Sequence, residues 1–477
     1  MEQKIPGSQK LERHFKIAER NSTIKTEILA GLTTFFAMSY IIVTNPDQVV
    51  GFTSGGAYDT IWNAVYVASV LVAVLGTALY ALYANLPYAQ ACSMGLNSFF
   101  FVSFILPNAM DPIKGYQEGL AVILMSGVLF LIFSLTGARK HIAKALPDCL
   151  KKAIPAGIGL FIAMIGFKNA AIIQENPYTF VQLFDFHGAL VAADGFMAGW
   201  KAIAPAVLAI LGLVMITVLE KKQVKGSIIL SILSVTVLYY LTTWTFPTMN
   251  FNQIGQSFRD FGEIGIFGAF KGFKGAFSDS QKVLNAAVLV ITFCLVDMFD
   301  TVGTLYGTAA QAGMLDEDGD PIDIDKAMNC DSIATAGGAV LGTSTCTTFV
   351  ESASGVAVGG RTGFASLVTT GCFALCLFLT PLAAIIPACA TAPALIYVGV
   401  LMMRGFCNID FTDIASAVPA FLAMFLMPLT YSISNGIAVG AIAYVLITLL
   451  TGKYSKKDLI VTGIAVVFIL RFFFISY

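Results

Sequence analysis

Apolar residues along this chain come in long, nearly unbroken runs separated by short polar or glycine-rich turns. Many runs approach the roughly 20 residues that an α-helix needs to cross a hydrocarbon layer. The pattern predicts segments at about 27–46, 62–85, 88–106, 118–136, 149–168, 200–219 and 226–245. A polar, Gly- and Phe-rich connection at 246–282, with room for short interfacial helices, comes next. Further segments follow at about 283–310, 326–342, 344–359, 363–387, 391–404, 412–430 and 433–452. A last apolar stretch, 459–475, contains Arg471, and its relation to the bilayer is left open. Fourteen segments of this kind predict an all-α polytopic membrane protein.

Two of these segments are poor helices. The third reads "LPYAQACSMGLNSFFF" and the tenth "GTSTCTTFVESASGVAVGG". Both are rich in Gly, Ser, Thr and Cys, and each stands third in a run of seven. "AIPAGIGLFIAMIGFKNA" (153–170) and "ATAPALIYVGVLMMRGFC" (390–407) also look alike and stand fifth. Seven is odd, so two such repeats must be inverted in the membrane. Paired irregular segments at matching positions point to a midplane site between repeats, because non-helical backbone survives there only inside protein or along a cavity.

Composition agrees with the pattern. The 477 residues are 57% hydrophobic and 12% charged, with a mean hydropathy of +0.79; soluble proteins carry about 25% charged residues. The start, "MEQKIPGSQKLERHFKIAERNSTIK", is polar and basic, and no signal peptide is expected. Lys4, Lys10, Arg13, Lys16, Arg20 and Lys25 in that tail, Arg139, Lys140, Lys144, Lys151 and Lys152 after segment four, Lys221, Lys222 and Lys225 after six, and Lys453, Lys456 and Lys457 after fourteen fall on one side if the segments alternate. That side is the cytoplasm by the excess of basic residues, which places the protein in the plasma (inner) membrane with its N-terminus inside. Arg259, Lys271, Lys274 and Lys282 are the exception, outside.

A net charge of −1 argues against nucleic acid as a partner. Nine cysteines lie scattered without a C-x-x-C pair; Cys372 and Cys376 share a helix face as packing residues, and neither a disulfide framework nor a metal site is expected. His14, His141 and His187 lie outside the apolar segments, which disfavours haem, histidine metal sites and a histidine proton relay. "DEDGD" (316–320) lacks the spacing of a calcium loop, and "GGRTG" (359–363) lacks the Lys-Ser/Thr of a phosphate loop. No nucleophile–histidine pair or cofactor motif supports an enzyme.

The candidate chemistry therefore rests on carboxylates, amides and hydroxyls. Asp297 and Asp300 stand three apart in "VITFCLVDMFDTVGTLYG", on one helix face. A charge at the bilayer centre costs about 2.5 kcal/mol or more, so a polar cavity beside them is expected, with structural bonding to helix ends as the alternative. Glu351 sits in "TTFVESASG", where a broken chain would expose Ser352 and backbone N–H groups beside a carboxylate. A planar heterocycle suits that arrangement, since its edge alternates donors and acceptors. A capping glutamate is the alternative. Asn97 in "MGLNSFF" can donate and accept to such an edge, or merely tie helices together. Thr33 and Thr34 pose the same choice.

"EILAGLTTFFAMSYIIVTNP", "MGLNSFF", "DMFDTVGTLYG", "GTSTCTTFVESASGVAVGGRTG" and "PALIYVGVLMM" together resemble the AzgA-like purine permeases of the nucleobase–cation symporters, in order from about Phe15 to Lys453. The resemblance implies fourteen helices in two inverted sevens, with a short strand and a half-helix in segments three and ten. It implies a core domain (27–147 and 283–387), a gate domain (148–245 and 388–452), a tail (1–26), an extracellular connection (246–282) and a terminal segment (453–477). It implies proton-coupled uptake of adenine, guanine or hypoxanthine, often by a homodimer, without a cofactor. Asn97, Asp297 and Glu351 match the binding positions, and Asp300 the coupling acid, with Gly303 three on as in the related uracil and xanthine carriers. Phe349, Phe36 or Phe99 would stack on the ring, with Thr34, Val350 and Ser352 beside it; Glu351 would share in coupling. Many relatives have Ala-Pro-Gly where this chain has Ala91-Cys92-Ser93. An anion channel or exchanger on the same fold is the competing reading, disfavoured here because the expected site is acidic and lacks a base.

Overall fold

The computed structural model describes residues 12–136, 147–176, 179–191, 195–224, 226–245, 247, 250–278, 280–312, 314–316, 320–455 and 458–474. Arg139, Lys140, His141 and Lys144 lie outside these ranges, as do Lys4, Lys10, Lys225, Lys456, Lys457 and the centre of the DEDGD stretch at 317–319.

The first apolar segment is two helices. Thr23 caps α1 (Ile24–Met38) by accepting from the Thr26 N–H at 3.1 Å, which starts the helix three residues ahead of the apolar run. After a break at Ser39–Tyr40 the chain continues as α2 (Ile41–Val49). Helix α3 (Ala57–Leu79) ends in a π-helical turn at Tyr80–Ala84. The third segment then splits into strand β1 (Gln90–Cys92) and helix α4 (Met94–Phe100), prolonged by irregular turns to Asn108. Next come α5 (Pro112–Leu135) and α6 (Asp148–Asn169).

A hairpin that the apolar pattern does not anticipate, β2 (Ile173–Asn176) with β3 (Phe180–Leu183), precedes α7 (Phe186–Val191). Its strands are only four residues long, Ile-Gln-Glu-Asn and Phe-Val-Gln-Leu, too short to leave a distinct apolar run. Helices α8 (Phe196–Lys221) and α9 (Ser227–Thr243) follow, then α10 (Asn252–Asp260) and α11 (Gly268–Ala276) within the polar connection. The second part of the chain contains α12 (Ser280–Ala312), α13 (Ile324–Leu341), β4 (Cys346–Thr348) and the six-residue α14 (Ser352–Ala357).

The expected segment at 363–387 is interrupted. Helix α15 (Gly363–Leu375) gives way to a single turn and to α16 (Thr380–Ala383). Pro381 and Pro387 supply no N–H to continue a ladder. Helices α17 (Ala388–Met402), α18 (Ile414–Leu429), α19 (Ile433–Leu450) and α20 (Leu459–Phe474) complete the chain. Helix α20 buries Val461, Ala465 and Phe468, one face at helical spacing, and packs on α19 and α12. Among the described residues six helical stretches are long and apolar enough to cross a membrane, and seven more apolar helices are shorter.

The tenth segment could not cross alone. Three strand residues cover about 10 Å and a six-residue helix about 9 Å, against a hydrocarbon core of about 30 Å. The strands of the two broken segments satisfy each other's backbone instead. Strands β1 and β4 pair antiparallel, Gln90 with Thr348, Ala91 with Thr347 and Cys92 with Cys346. The ladder extends at both ends, Ser93 N to Thr345 O at 3.0 Å and Phe349 N to Ala89 O at 3.0 Å. Around this crossing stand α3, α12 and α13, while α17 and α18 both pack on α6.

Candidate functional site

The joint between β4 and α14 borders a cavity of about 350 Å³. That is the lower end of the range of about 300–1,000 Å³ typical of small-molecule sites. Met94 and Gly95 of α4, Phe349, Val350 and Glu351 of the joint, and Asp300 and Thr304 of α12 form one wall. Pro155 and Ile162 of α6 and Val398, Leu401 and Met402 of α17 form the other. Two carboxylates thus face one space beside an aromatic ring. The Glu351 Oε1 accepts from the Tyr40 hydroxyl at 2.7 Å, and the Asp300 Oδ2 lies 3.4 Å from the Ser93 Oγ.

The other expected site residues do not line this cavity. The Asn97 amide is fully buried and committed: its Nδ2 donates to Gln48 Oε1 at 3.2 Å and its Oδ1 accepts from the Ser344 hydroxyl. It ties α4 to α2 and to the chain leading into β4. Asp297 is equally buried behind β4, where its Oδ2 lies 2.7 Å from the Thr335 Oγ1; its Oδ1 has no hydrogen-bond partner among the described residues. The Ser352 hydroxyl accepts from the Ala89 N–H at 3.0 Å. Thr34 packs directly against Gly355, where only a glycine leaves room for its hydroxyl. The Thr33 hydroxyl bonds to Leu29 O at 2.7 Å within its own helix. Phe99 packs against Phe293 in a tilted pair with centroids 4.9 Å apart, inside the core, and Phe36 is 48% exposed beside Phe35 and Gly226.

Four residues were not singled out by the sequence. Tyr40 holds Glu351. Asp331 of α13, fully buried, accepts from Tyr80 OH at 3.2 Å and Thr348 Oγ1 at 3.0 Å, and also from Gln90 Nε2 and Thr301 Oγ1. It thereby clamps both strands to α3, α12 and α13. An acid inside an apolar segment is the very signal that marks Asp297 and Asp300, and it was present at Asp331 too. Lys151 and Lys152, read as part of a basic loop, line the cavity at the start of α6, with Lys151 3.2 Å from Asp148. The site is therefore not free of basic residues, contrary to the expectation.

A bundle of apolar helices around two broken segments, with acids at their joint, defines a polytopic membrane protein of transporter type. The Permease family model matches residues 25–439, and the chain belongs to this family. It is 35% identical to the adenine permease AdeP of Escherichia coli over 98% of this chain and 97% of that protein. It is 36% identical to the guanine/hypoxanthine permease PbuO of Bacillus subtilis over 96% and 99%, and 38% identical to a putative permease of Methanocaldococcus jannaschii over 98% and 99%. Among solved structures, the transmembrane domain of a cyanobacterium bicarbonate transporter, BicA, shares the fold with a TM-score of 0.59 at 16% identity, covering 86% of this chain and 97% of that one. SLC26A9 does so with a TM-score of 0.57 at 10% identity, over 90% and 66%.

Proposed function

We infer that this chain imports purine nucleobases together with protons across the plasma (inner) membrane. The observation that carries this reading is the meeting of Asp300, Glu351 and Phe349 at one cavity, beside the paired strands of the two broken segments. Glu351 accepts ring N–H donors, Phe349 and Val350 cover the ring face, and Asp300 carries the proton, with Glu351 sharing in the coupling. Desolvation on closure favours the neutral acid, which links protonation to binding. Asn97, Asp297, Ser352 and Thr34 hold the frame behind this wall, and Phe36 and Phe99 have no stacking role. The core (27–147, 283–387) moves against the gate (148–245, 388–452), and fourteen spans arise as two inverted sevens. The like-for-like pairing of β1 with β4 supports that symmetry. The N-terminus is cytoplasmic.

Adenine, guanine and hypoxanthine are the substrates, as the named relatives suggest. Competition of radiolabelled hypoxanthine uptake by a panel of purines and pyrimidines, with and without a proton gradient, tests this. Purines alone compete, and collapse of the gradient abolishes accumulation. Lys151 and Lys152 give the anion reading one specific observation. Anion current independent of purine, with no purine uptake, would establish it.

A further inference from the structure

Glu351 faces a second cavity besides the one it shares with Asp300. This space, about 540 Å³, lies between α1, α14, α17 and the turn joining α8 to α9. Val350, Glu351 and Leu401 line both spaces, so the carboxyl stands at their partition. Its lining mixes polar groups, Thr33, Ser354, Ser227, Gln223 and Glu220, with apolar ones such as Val224, Ile228 and Val358. The Glu220 Oε2 accepts from the Ser227 hydroxyl, and the Ser354 hydroxyl donates to the Glu351 carbonyl at 2.7 Å. A space this roomy, with several polar partners on its wall, suits water. Glu220 directly precedes Lys221 and Lys222, all three exposed, at the end of α8. Lys151 and Lys152 stand at the corresponding margin of the first cavity.

Two spaces that meet at one carboxyl allow two species to use different routes. We propose that the second cavity is an aqueous proton path between Glu351 and the basic side of the protein, with Glu220 as its outer proton carrier. The purine uses only the first cavity. This rests on the reading of the chain as a proton-coupled purine carrier. The step is a proton transfer: Glu351 loses its proton to water in the second cavity, Glu220 or solvent takes it, and a carboxylate remains. The groups facing Glu351 are Tyr40 from the α1–α2 break, Asp300 of α12, Lys151 and Lys152 of α6, Glu220 from the α8–α9 turn, and Tyr397 of α17.

The test uses the full chain in proteoliposomes. Ala357→Phe narrows the second cavity, since Ala357 lines that space and not the first. Glu220→Gln keeps the shape and removes the titratable group. Hypoxanthine exchange at equal pH on both sides moves no net proton, whereas net uptake and the response of an enclosed pH dye require proton release. Exchange is expected to be unchanged in both variants, while net uptake and dye response fall about a hundredfold, the lower end of what a positioned proton carrier contributes. Equal loss of exchange and net uptake in Glu220→Gln overturns the proposal, and so does full net uptake in both variants. An unmodified chain that exchanges no hypoxanthine would instead overturn the purine reading itself.

Discussion

The Tyr40 hydroxyl donates to the Glu351 carboxylate at 2.7 Å across 311 residues of sequence. It joins the break between α1 and α2 to the joint between β4 and α14, one interruption to the other. A hydrogen bond to a charged group is worth about 1.5–3 kcal/mol. Tyr40→Phe is therefore expected to raise the half-saturating purine concentration by about tenfold or more, with normal amounts of protein in the membrane. Uptake kinetics alongside quantified expression check this; an unchanged affinity would show that the bond has no part in the site.

Asp300→Asn removes the cavity's second carboxylate while keeping its shape. Hypoxanthine exchange should persist, and the proton influx that accompanies the purine should disappear. Proton influx at normal stoichiometry in this variant would assign coupling elsewhere.

Asp331→Asn should behave differently, because four donors converge on this buried carboxylate. The amide turns its own N–H groups toward some of them, and each buried polar group left unsatisfied costs about 1–3 kcal/mol. Thermal stability in detergent and uptake should fall together, whereas Asp300→Asn should leave the melting temperature near that of the unmodified chain. Normal stability in Asp331→Asn would mean that the strand crossing does not depend on the clamp.

Gly159 of α6 and Gly399 of α17 approach each other reciprocally. A Cβ on Gly159 would stand 2.6 Å from the Gly399 carbonyl oxygen, and one on Gly399 would stand 2.5 Å from that of Gly159. Backbone cannot yield as a side-chain tip does, so Gly159→Val or Gly399→Val should destabilise by about 1–3 kcal/mol through overpacking. Gly371→Ala in α15 is the control, since an added methyl group there meets nothing within 4 Å. It should be neutral or stabilise by about 0.4–1 kcal/mol. Melting temperatures of the variants decide; equal values for all three would remove the close approach as a constraint.

The run lengths of apolar residues determined where helices form, because only a helix satisfies its own backbone in hydrocarbon. Small and hydroxylated residues around Asn97 and Glu351 likewise marked where helices would fail. The boundaries at Thr23, Pro381 and Pro387 are local chemistry too, legible in retrospect as a cap and two missing donors. What the sequence could not decide is which side of a buried helix a given acid serves. Asp297 and Asp300 share a face by spacing, yet three residues at about 100° each leave roughly 60° between them. On a helix enclosed by protein that angle is enough: Asp297 meets Thr335 of α13, and Asp300 meets the cavity. The same holds for Asn97, whose amide could serve a ligand or a neighbour until Gln48 and Ser344 were placed against it. Tertiary packing alone assigned these roles, because a side chain's partner in a membrane interior is set by the helix that lies opposite.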